Sequence, residues 1–539
     1  FSFLNPAHER LVGERLAELG GENAPFVSLS SDVLPEYREY ERTSTTVINA
    51  YVGPLTNRYL ANLETGLEGR RLRIMQSNGG IISADSARVL AARTALSGPA
   101  GGVVGGFELA RQAGFAEVIT FDMGGTSTDV SLCPGRIQET TEGAVAGLPL
   151  RLPIIDIHTV GAGGGSIARV DSGGALRVGP ESAGSDPGPV CYGLVTDEGA
   201  PAAKEITVTD ANLVLGRLDA DHFLGGRMSL DVDRTLVYMQ GLARQLSLPL
   251  AVTAWGVVQV ANSNMERAIR SISIERGHDP RRFTLVAFGG AGPLHACELA
   301  QALHIPRVVI VPHPGVLSAL GMILADVVKD YSQTVMLPAQ GLEAATLDHL
   351  FRPMVERARS ELLDEGLSEA DIRFLPALDM RYAGQSFELT IPLLGRAGDS
   401  DITAPVVALD PARAVYDFHQ AHQRRFSYAN AGEPAEVVNL RLKAVGTTAK
   451  PEFVRQPTGP VDPRAAHIGY KQVYFADTNA PRAARPMPTA LYERARLVPG
   501  NIVIGPAIIF QMDTTTVIPP RWAATVDEWQ NLVVEIGQA

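Results

Sequence analysis

Along this chain the spacing of apolar and polar positions switches repeatedly between a helical and a strand period. Over residues 261–277, ANSNMERAIRSISIERG sets Met265, Ala268, Ile269 and Ile272 at i, i+3, i+4 and i+7. That is one face of a helix, and Gly277 supplies its stop. FTLVAFGGAGPLHACELAQALHIPRVVIVP then reads strand, glycine turn, helix, strand. Its glycines stand at the C-terminal end of the first strand, where open α/β sheets place ligands. Val118-Ile119-Thr120-Phe121 predicts a buried strand and Val130-Ser131-Leu132 an extended one. FDMGGTSTDVSL, at 121–132, therefore predicts a glycine hairpin rather than a strand-to-helix turn. IIDIHTVGAGGGSIARVD, at 154–171, repeats the same plan of strand, glycine turn and strand.

Three textures divide the rest. Residues 1–115 alternate helix and strand signals. TTVINAYVGPLTNRYLANLETGL predicts a long helix, interrupted or rearranged near Gly53-Pro54. RLRIMQSNGGIIS predicts a strand, a turn and a further extended piece. SGPAGGVVGGFELARQAGF predicts a helix whose glycines cost propensity unless close packing or a ligand explains them. Residues 116–335 hold the glycine turns, together with LRVGPESAGSDPGPVCYG, which reads as a long loop suited to a site wall. Residues 336–539 are strand-rich after one helical stretch near 341–365, and predict a mainly β C-terminal domain. The opening Phe1-Ser2-Phe3-Leu4 reads as the end of a core strand, with Asn5 as a helix cap and Pro6 as first helical residue. A strand with no element before it suggests that an N-terminal segment is missing or is supplied by another chain.

Composition narrows the partners more than the chemistry. The 539 residues are 45% hydrophobic and 20% charged, an ordinary globular balance with room for about three or four domains. Lys+Arg 47 against Asp+Glu 59 leaves −12, which disfavours nucleic acid and anionic membranes as partners. An anionic ligand must therefore be held locally. Cys133, Cys191 and Cys297 stand far apart, which argues against a disulfide framework or a cysteine zinc site and fits a reducing cytoplasm. No signal peptide is visible, and no apolar run is long enough to span a bilayer.

The candidate chemistry sits on the glycine turns. Adjacent Gly124 and Gly125 permit positive φ and close approach of a ligand, and successive N–H groups can form an anion nest. Asp122 and Asp129 could hold a hydrated metal or position a water; the plainer alternative is a tight turn with polar trim. Asp156 and His158 occupy alternate positions of one predicted strand, hence one face. They could ligate a metal or position a carbonyl, against the alternative of an ordinary structural imidazole. Capping or packing suits His295, the turn Asn78-Gly79-Gly80 is evenly balanced, and the cysteines read as inert. Arg270 and Arg276 read as solvated or paired. The P-loop lysine, a G-x-S-x-G elbow, H-E-x-x-H and C-x-x-C are all absent, which weakens P-loop, esterase, zinc-protease and redox readings.

A phosphate hairpin followed by a Gly-Gly-x-Gly-Pro turn is the pattern of the actin-like ATPase (ASKHA) fold. The chain resembles the ATP-dependent hydantoinase/oxoprolinase family, A-subunit type, in FSFLNPAHE, LPEYREYERTSTTVINAYVGP, MQSNGG, LSGPAGGVVGG, FDMGGTSTDV, DIHTVGAGGGS, SAGSDPGPVCYG, VTDANLVLGRLD, FGGAGPLHA, VPHPGVLSALGMILAD, RYAGQSFELTIP and GPAIIFQMDTTTVIPP. The resemblance implies an actin-like two-lobed core, its first lobe incomplete here, plus a β-rich C-terminal domain. DMGGTSTD would be the second phosphate loop; the first, normally upstream, is not in this sequence, so this chain alone would bind ATP weakly or not at all.

The implied activity is ATP-dependent phosphorylation of the carbonyl oxygen of a small cyclic amide, completed by hydrolysis with a B-type partner subunit in a hetero-oligomer. Two alternatives stay open: a subunit of an acetone- or acetophenone-type ketone carboxylase, and a non-catalytic assembly or nucleotide-sensing subunit. Amides of Gly124, Gly125 and Thr126, with Ser127 and the hydroxyls of Thr126 and Thr128, would face phosphate. Gly289, Gly290, Gly292 and Pro293 would receive adenosine. Asp122 and Asp129 would reach Mg²⁺ through water, with Asp156 and His158 as further metal candidates and Asp122, Asp129 and His158 as catalytic ones.

Overall fold

A computed structural model of the protein describes residues 1–21, 24–393, 410–477 and 480–537. Contact density separates two compact units, each assembled from discontinuous segments: 1–100, 139–155 and 324–450 in one, 101–138, 156–323 and 451–539 in the other. The domains expected at 1–115, 116–335 and 336–539 are therefore cut differently. Strands beyond residue 336 fall into both units, Ile372–Tyr382, Leu389–Pro392 and Ala435–Gly446 in the first, Ile502–Ile504, Trp522–Val526 and Leu532–Ile536 in the second. Among the described residues no helix is long and apolar enough to cross a membrane.

The first unit is built on a six-stranded sheet in the order Arg73–Met75, Ile81–Ser83, Val327–Pro338, Ala435–Gly446, Ile372–Tyr382, Leu389–Pro392. Its long strands alternate buried and less buried positions, as a sheet with one covered face requires. Helix Ala344–Asp364 matches the expected helical stretch, while helix Pro411–Phe426 went unforeseen. Helix Glu39–Gly66 runs without a break through Gly53-Pro54. A Cβ on Gly53 would come within 2.3 Å of the Phe26 ring, so this glycine admits an aromatic side chain rather than a break. Phe1–Leu4 is a turn, not a strand, closed by Leu4 N–H to Phe1 O at 3.0 Å. Asn5 accepts from Ala7 N–H at 3.1 Å, but the helix starts at Ala7 with Pro6 in the cap position, one residue later than expected.

The second unit carries an eight-stranded sheet: Ile502–Ile504, Trp522–Val526, Leu532–Ile536, Arg307–Ile310, Thr284–Phe288, Glu117–Met123, Thr128–Pro134, His158–Val160. Its centre is parallel, Glu117–Met123 beside Thr284–Phe288 beside Arg307–Ile310. Strand Thr284–Phe288 is buried at every position, as a parallel strand covered on both faces should be. Helix Leu250–Ile272 buries Met265, Ala268, Ile269 and Ile272, the stripe read from the sequence. The expected loop at 176–193 opens with a strand, Leu176–Ser182, paired with Ser166–Val170, and continues as loop to the short turn Val190–Tyr192. At the C-terminal ends of the two parallel strands Glu117–Met123 and Thr284–Phe288, two glycine turns meet.

Candidate functional site

The hairpin forms as the pattern predicts: Glu117–Met123 pairs antiparallel with Thr128–Pro134, and Asp122 faces Asp129 in register. Directly opposed side chains share a sheet face, so both carboxylates project together. Burial and then the Asp129 charge push the Asp122 carboxyl up to about 7. Burial also raises Asp129, opposed by the Thr159 hydroxyl, which donates to its Oδ1 at 2.5 Å. Asp122 is enclosed by backbone. A Cβ on Gly289 would lie 2.4 Å from Asp122 Oδ1 and 2.5 Å from Met123 O, and one on Gly102 would lie 3.3 Å from Asp122 Oδ2.

The turn itself is open. Gly124 N–H donates to Ser127 O at 3.1 Å. The N–H groups of Gly125, Thr126 and Ser127 have no acceptor among the described residues. Neither Gly124 nor Gly125 has positive φ, contrary to expectation, and a Cβ on either would meet nothing within 4 Å. The backbone does not demand glycine here; the bare surface in front of the turn is what glycine leaves.

The second glycine turn is a buttress, not a repeat of the first. Gly164 N–H and Gly165 N–H donate to Gly124 O and Gly125 O at 3.0 and 2.6 Å. Gly163 lies so close that a Cβ would be 2.6 Å from Gly125 O. The Thr128 hydroxyl, expected to face phosphate, is buried and donates to Ala162 O at 2.5 Å. Thr126 stays exposed.

Gly289-Gly290-Ala291-Gly292-Pro293 follows strand Thr284–Phe288, whose Phe288 lies in register with Asp122. Ala291 N–H donates to Met123 O at 2.9 Å, tying this turn to the hairpin. Helix Gly292–Leu303 starts there with Pro293, which lacks an N–H, in its first turn and no side-chain cap, and Leu294 N–H donates to Ala291 O at 3.2 Å. Gly289 alone of these glycines has positive φ, 78°.

Asp156 and His158 do not join this group. The predicted strand breaks between Ile154–Ile155 and His158–Val160. His158 pairs with Val130 while Thr159 pairs with Asp129, which puts the imidazole on the opposite face from both acids. The Asp156 carboxylate is bound by Arg276, so that arginine is paired. Among the described residues no three or more His, Cys, Asp or Glu gather as a metal cage. His295 is fully buried, 2.7 Å from Asn262 Oδ1 through Nδ1, and burial with the Arg217 charge holds it down to about 3, so it packs as a neutral ring. Asn78 and its glycines are structural: Asn78 Nδ2 donates to Asp330 at 2.6 Å, and a Cβ on Gly80 would strike Val328 at 2.4 Å. All three cysteines are buried, with their thiols raised by burial.

Sequence reasoning missed Thr159 and Gly102, which touch the acids only through strand register and helix packing. It left Asp513 and Thr514 as a quoted word, GPAIIFQMDTTTVIPP, without a place.

Comparison with known proteins gives the chain its relatives. The sequence model of the hydantoinase/oxoprolinase family matches residues 42–331, and that of the hydantoinase/oxoprolinase C-terminal domain matches 339–535. Caprolactamase subunit alpha of Pseudomonas jessenii is 34% identical over 98% of this chain and 74% of its own length. The acetophenone carboxylase gamma subunit of Aromatoleum aromaticum is also 34% identical, over 98% of this chain and 72% of its own. The crystal structure of ATP-dependent caprolactamase from Pseudomonas jessenii superposes with a TM-score of 0.83 at 31% identity, covering 100% of this chain and 76% of that one.

Proposed function

Because the chain belongs to the hydantoinase/oxoprolinase family, we propose that it is the ATP-using subunit of an enzyme that opens a cyclic amide after phosphorylating its carbonyl oxygen. The observation that carries this reading is the facing pair Asp122 and Asp129 beside a turn with a bare glycine face and unpaired N–H groups. In this reading the second unit is a lobe of an actin-like core. The amides of Gly125, Thr126 and Ser127, with the exposed Thr126 hydroxyl, bind phosphate oxygens, which backbone N–H groups in a concave turn do well. The turn at 289–293 receives the nucleoside side. Magnesium would supply charge neutralisation at the transferred phosphoryl group, and two carboxylates suit it, since Mg²⁺ keeps several waters and takes one or two acids plus phosphate. Asp156 and His158 stay outside that set.

The bonds balance simply. The amide oxygen attacks the γ-phosphorus as the bond to ADP breaks. Water then adds to the activated carbon, the ring nitrogen departs with a proton as the amine, and a second water hydrolyses the resulting acyl phosphate to the carboxylate and inorganic phosphate. In this reading a B-type partner subunit completes the hydrolysis; the subunit names of the relatives support a multi-subunit assembly and no more.

The test is ATP-dependent opening of a lactam and hydantoin series by the complex purified with its partner. Asp122→Asn should lower turnover about 100-fold or more, the scale of losing one electrostatic group in such a site. Turnover unchanged by that substitution would overturn the assignment. A second reading, ATP-dependent carboxylation of a ketone, is favoured by the carboxylase subunit's equal 34% identity. Product formed from labelled bicarbonate and a ketone, with no lactam opened, would select it.

A further inference from the structure

A third segment closes the wall beside the turn at 289–293. The hairpin of Ala507–Phe510 and Thr515–Ile518 lies in the second unit's four-stranded sheet. Its tip reaches two turns at once. Thr514 Oγ1 donates to Gly290 O at 3.0 Å, and Asp513 Oδ2 accepts from Gly315 N–H at 2.7 Å. Gly289 N–H donates to Pro314 O at 3.0 Å, and the Gln511 amide donates to Pro312 O, so the three segments are knitted together. Gly315 approaches so closely that a Cβ would stand 2.7 Å from Asp513 Cβ.

Two groups on this tip keep capacity for a ligand, the second oxygen of the Asp513 carboxylate and the Met512 side chain. Asp513 Oδ1 accepts no hydrogen bond among the described residues. The Arg494 guanidinium, which feels the charges of Asp513 and Asp527, donates to Gln530 O instead. Met512 is 54% exposed, beside the segment Phe223–Gly226, where Leu224, Gly225 and Gly226 run consecutively at φ 51, 65 and 79°. A Cβ on Gly225 would sit 3.5 Å from Met512 Cγ. The order in space is fixed by short steps. A Cβ on Gly289 would meet Asp122 Oδ1, Gly290 follows in the chain, and a Cβ on Gly290 would lie 3.6 Å from Asp513 O. This run of neighbours sets Asp513 beside the turn that receives the nucleoside side in the reading above.

We propose that Asp513 and Met512 form the nucleoside subsite: Asp513 Oδ1 accepts from a ribose hydroxyl, and the Met512 side chain supports the purine face. A carboxylate is the usual partner of ribose hydroxyls, and a polarizable thioether packs well on an aromatic face. The inference rests on the ATP reading above and assigns the residues that recognise the sugar and base.

Binding, not turnover, tests it. Dissociation constants of ATP, 2′-deoxy-ATP and 3′-deoxy-ATP should be measured on the full-length protein in its native complex. ATP should bind about 10-fold tighter than at least one deoxy analogue, the scale of one charge-assisted hydrogen bond. Asp513→Asn, which keeps an acceptor for Gly315, should weaken ATP about 10-fold while leaving that deoxy analogue unchanged. Met512→Ala should weaken all three about equally. Equal affinities in the unsubstituted protein would overturn the subsite while leaving the ATP reading standing. An equal loss for all three nucleotides in Asp513→Asn would make the residue a wall and nothing more. No nucleotide binding at all would remove both readings.

Discussion

Asp122 shows how one residue can be unstable by design of its surroundings. Burial and the facing Asp129 both oppose its ionisation, raising it from 3.8 to about 7. Between those values the folded chain binds the extra proton, so unfolding free energy falls as pH rises through the window and stays reduced above it. Asp122→Asn, measured without divalent cations, should therefore stabilise the protein at pH 8 by about 2 kcal/mol after allowance for partial exposure. The gain should shrink as pH drops through 7 and vanish below about 4. Denaturant titrations at pH 8, 6 and 4 check this; a gain that ignores pH would mean that charge is not its cause. At this scale the acids were legible from their spacing across the turn. His158 was not, because the alternation rule holds only within one strand, and the chain breaks at Asp156-Ile157.

Glycines in adjacent turns look alike in sequence and do opposite work in the structure. Gly289 combines positive φ with a Cβ position 2.4 Å from Asp122 Oδ1. Gly289→Ala should cost about 3 kcal/mol in thermal or denaturant unfolding, from strain and overpacking together. Gly124→Ala, with ordinary φ and empty space around it, should stay within about 0.5 kcal/mol yet weaken nucleotide binding. A Gly124→Ala protein that unfolds early would show that the turn's bareness serves the fold. The glycine-rich helix Ser97–Gln112 answers its own puzzle in the same way. A Cβ on Gly321 would stand 1.8 Å from Gly101 O, so helix Leu317–Leu324 packs backbone to backbone against it. Hairpin and β-turn-α-β unit were legible because their signals are local. The buttress at 161–166 was not, since its role depends on Gly163 meeting Gly125, a contact between turns that no periodicity encodes.

The whole molecule departs most from its sequence at the C-terminal end. A change of texture near residue 330 suggests a domain of its own, because strands and turns replace helices there. Yet Ile502–Ile504, Trp522–Val526 and Leu532–Ile536 extend the sheet that carries Asp122, with Leu532–Ile536 paired antiparallel to Arg307–Ile310. Val503, Ile518, Trp522, Val526, Leu532 and Val534 belong to the same buried cluster as Phe121 and Ile310. Removing residues 451–539 would therefore strip one side of that core and leave Arg307–Ile310 as a bare apolar edge, a template for aggregation. The truncated protein should keep far-ultraviolet helix and strand signals, lose fixed aromatic dichroism, bind a hydrophobic dye and precipitate at micromolar concentration. A truncated protein that stays monomeric with native aromatic dichroism would instead mean that the sheet is complete at Arg307–Ile310 and that the C-terminal strands are an appendage to it.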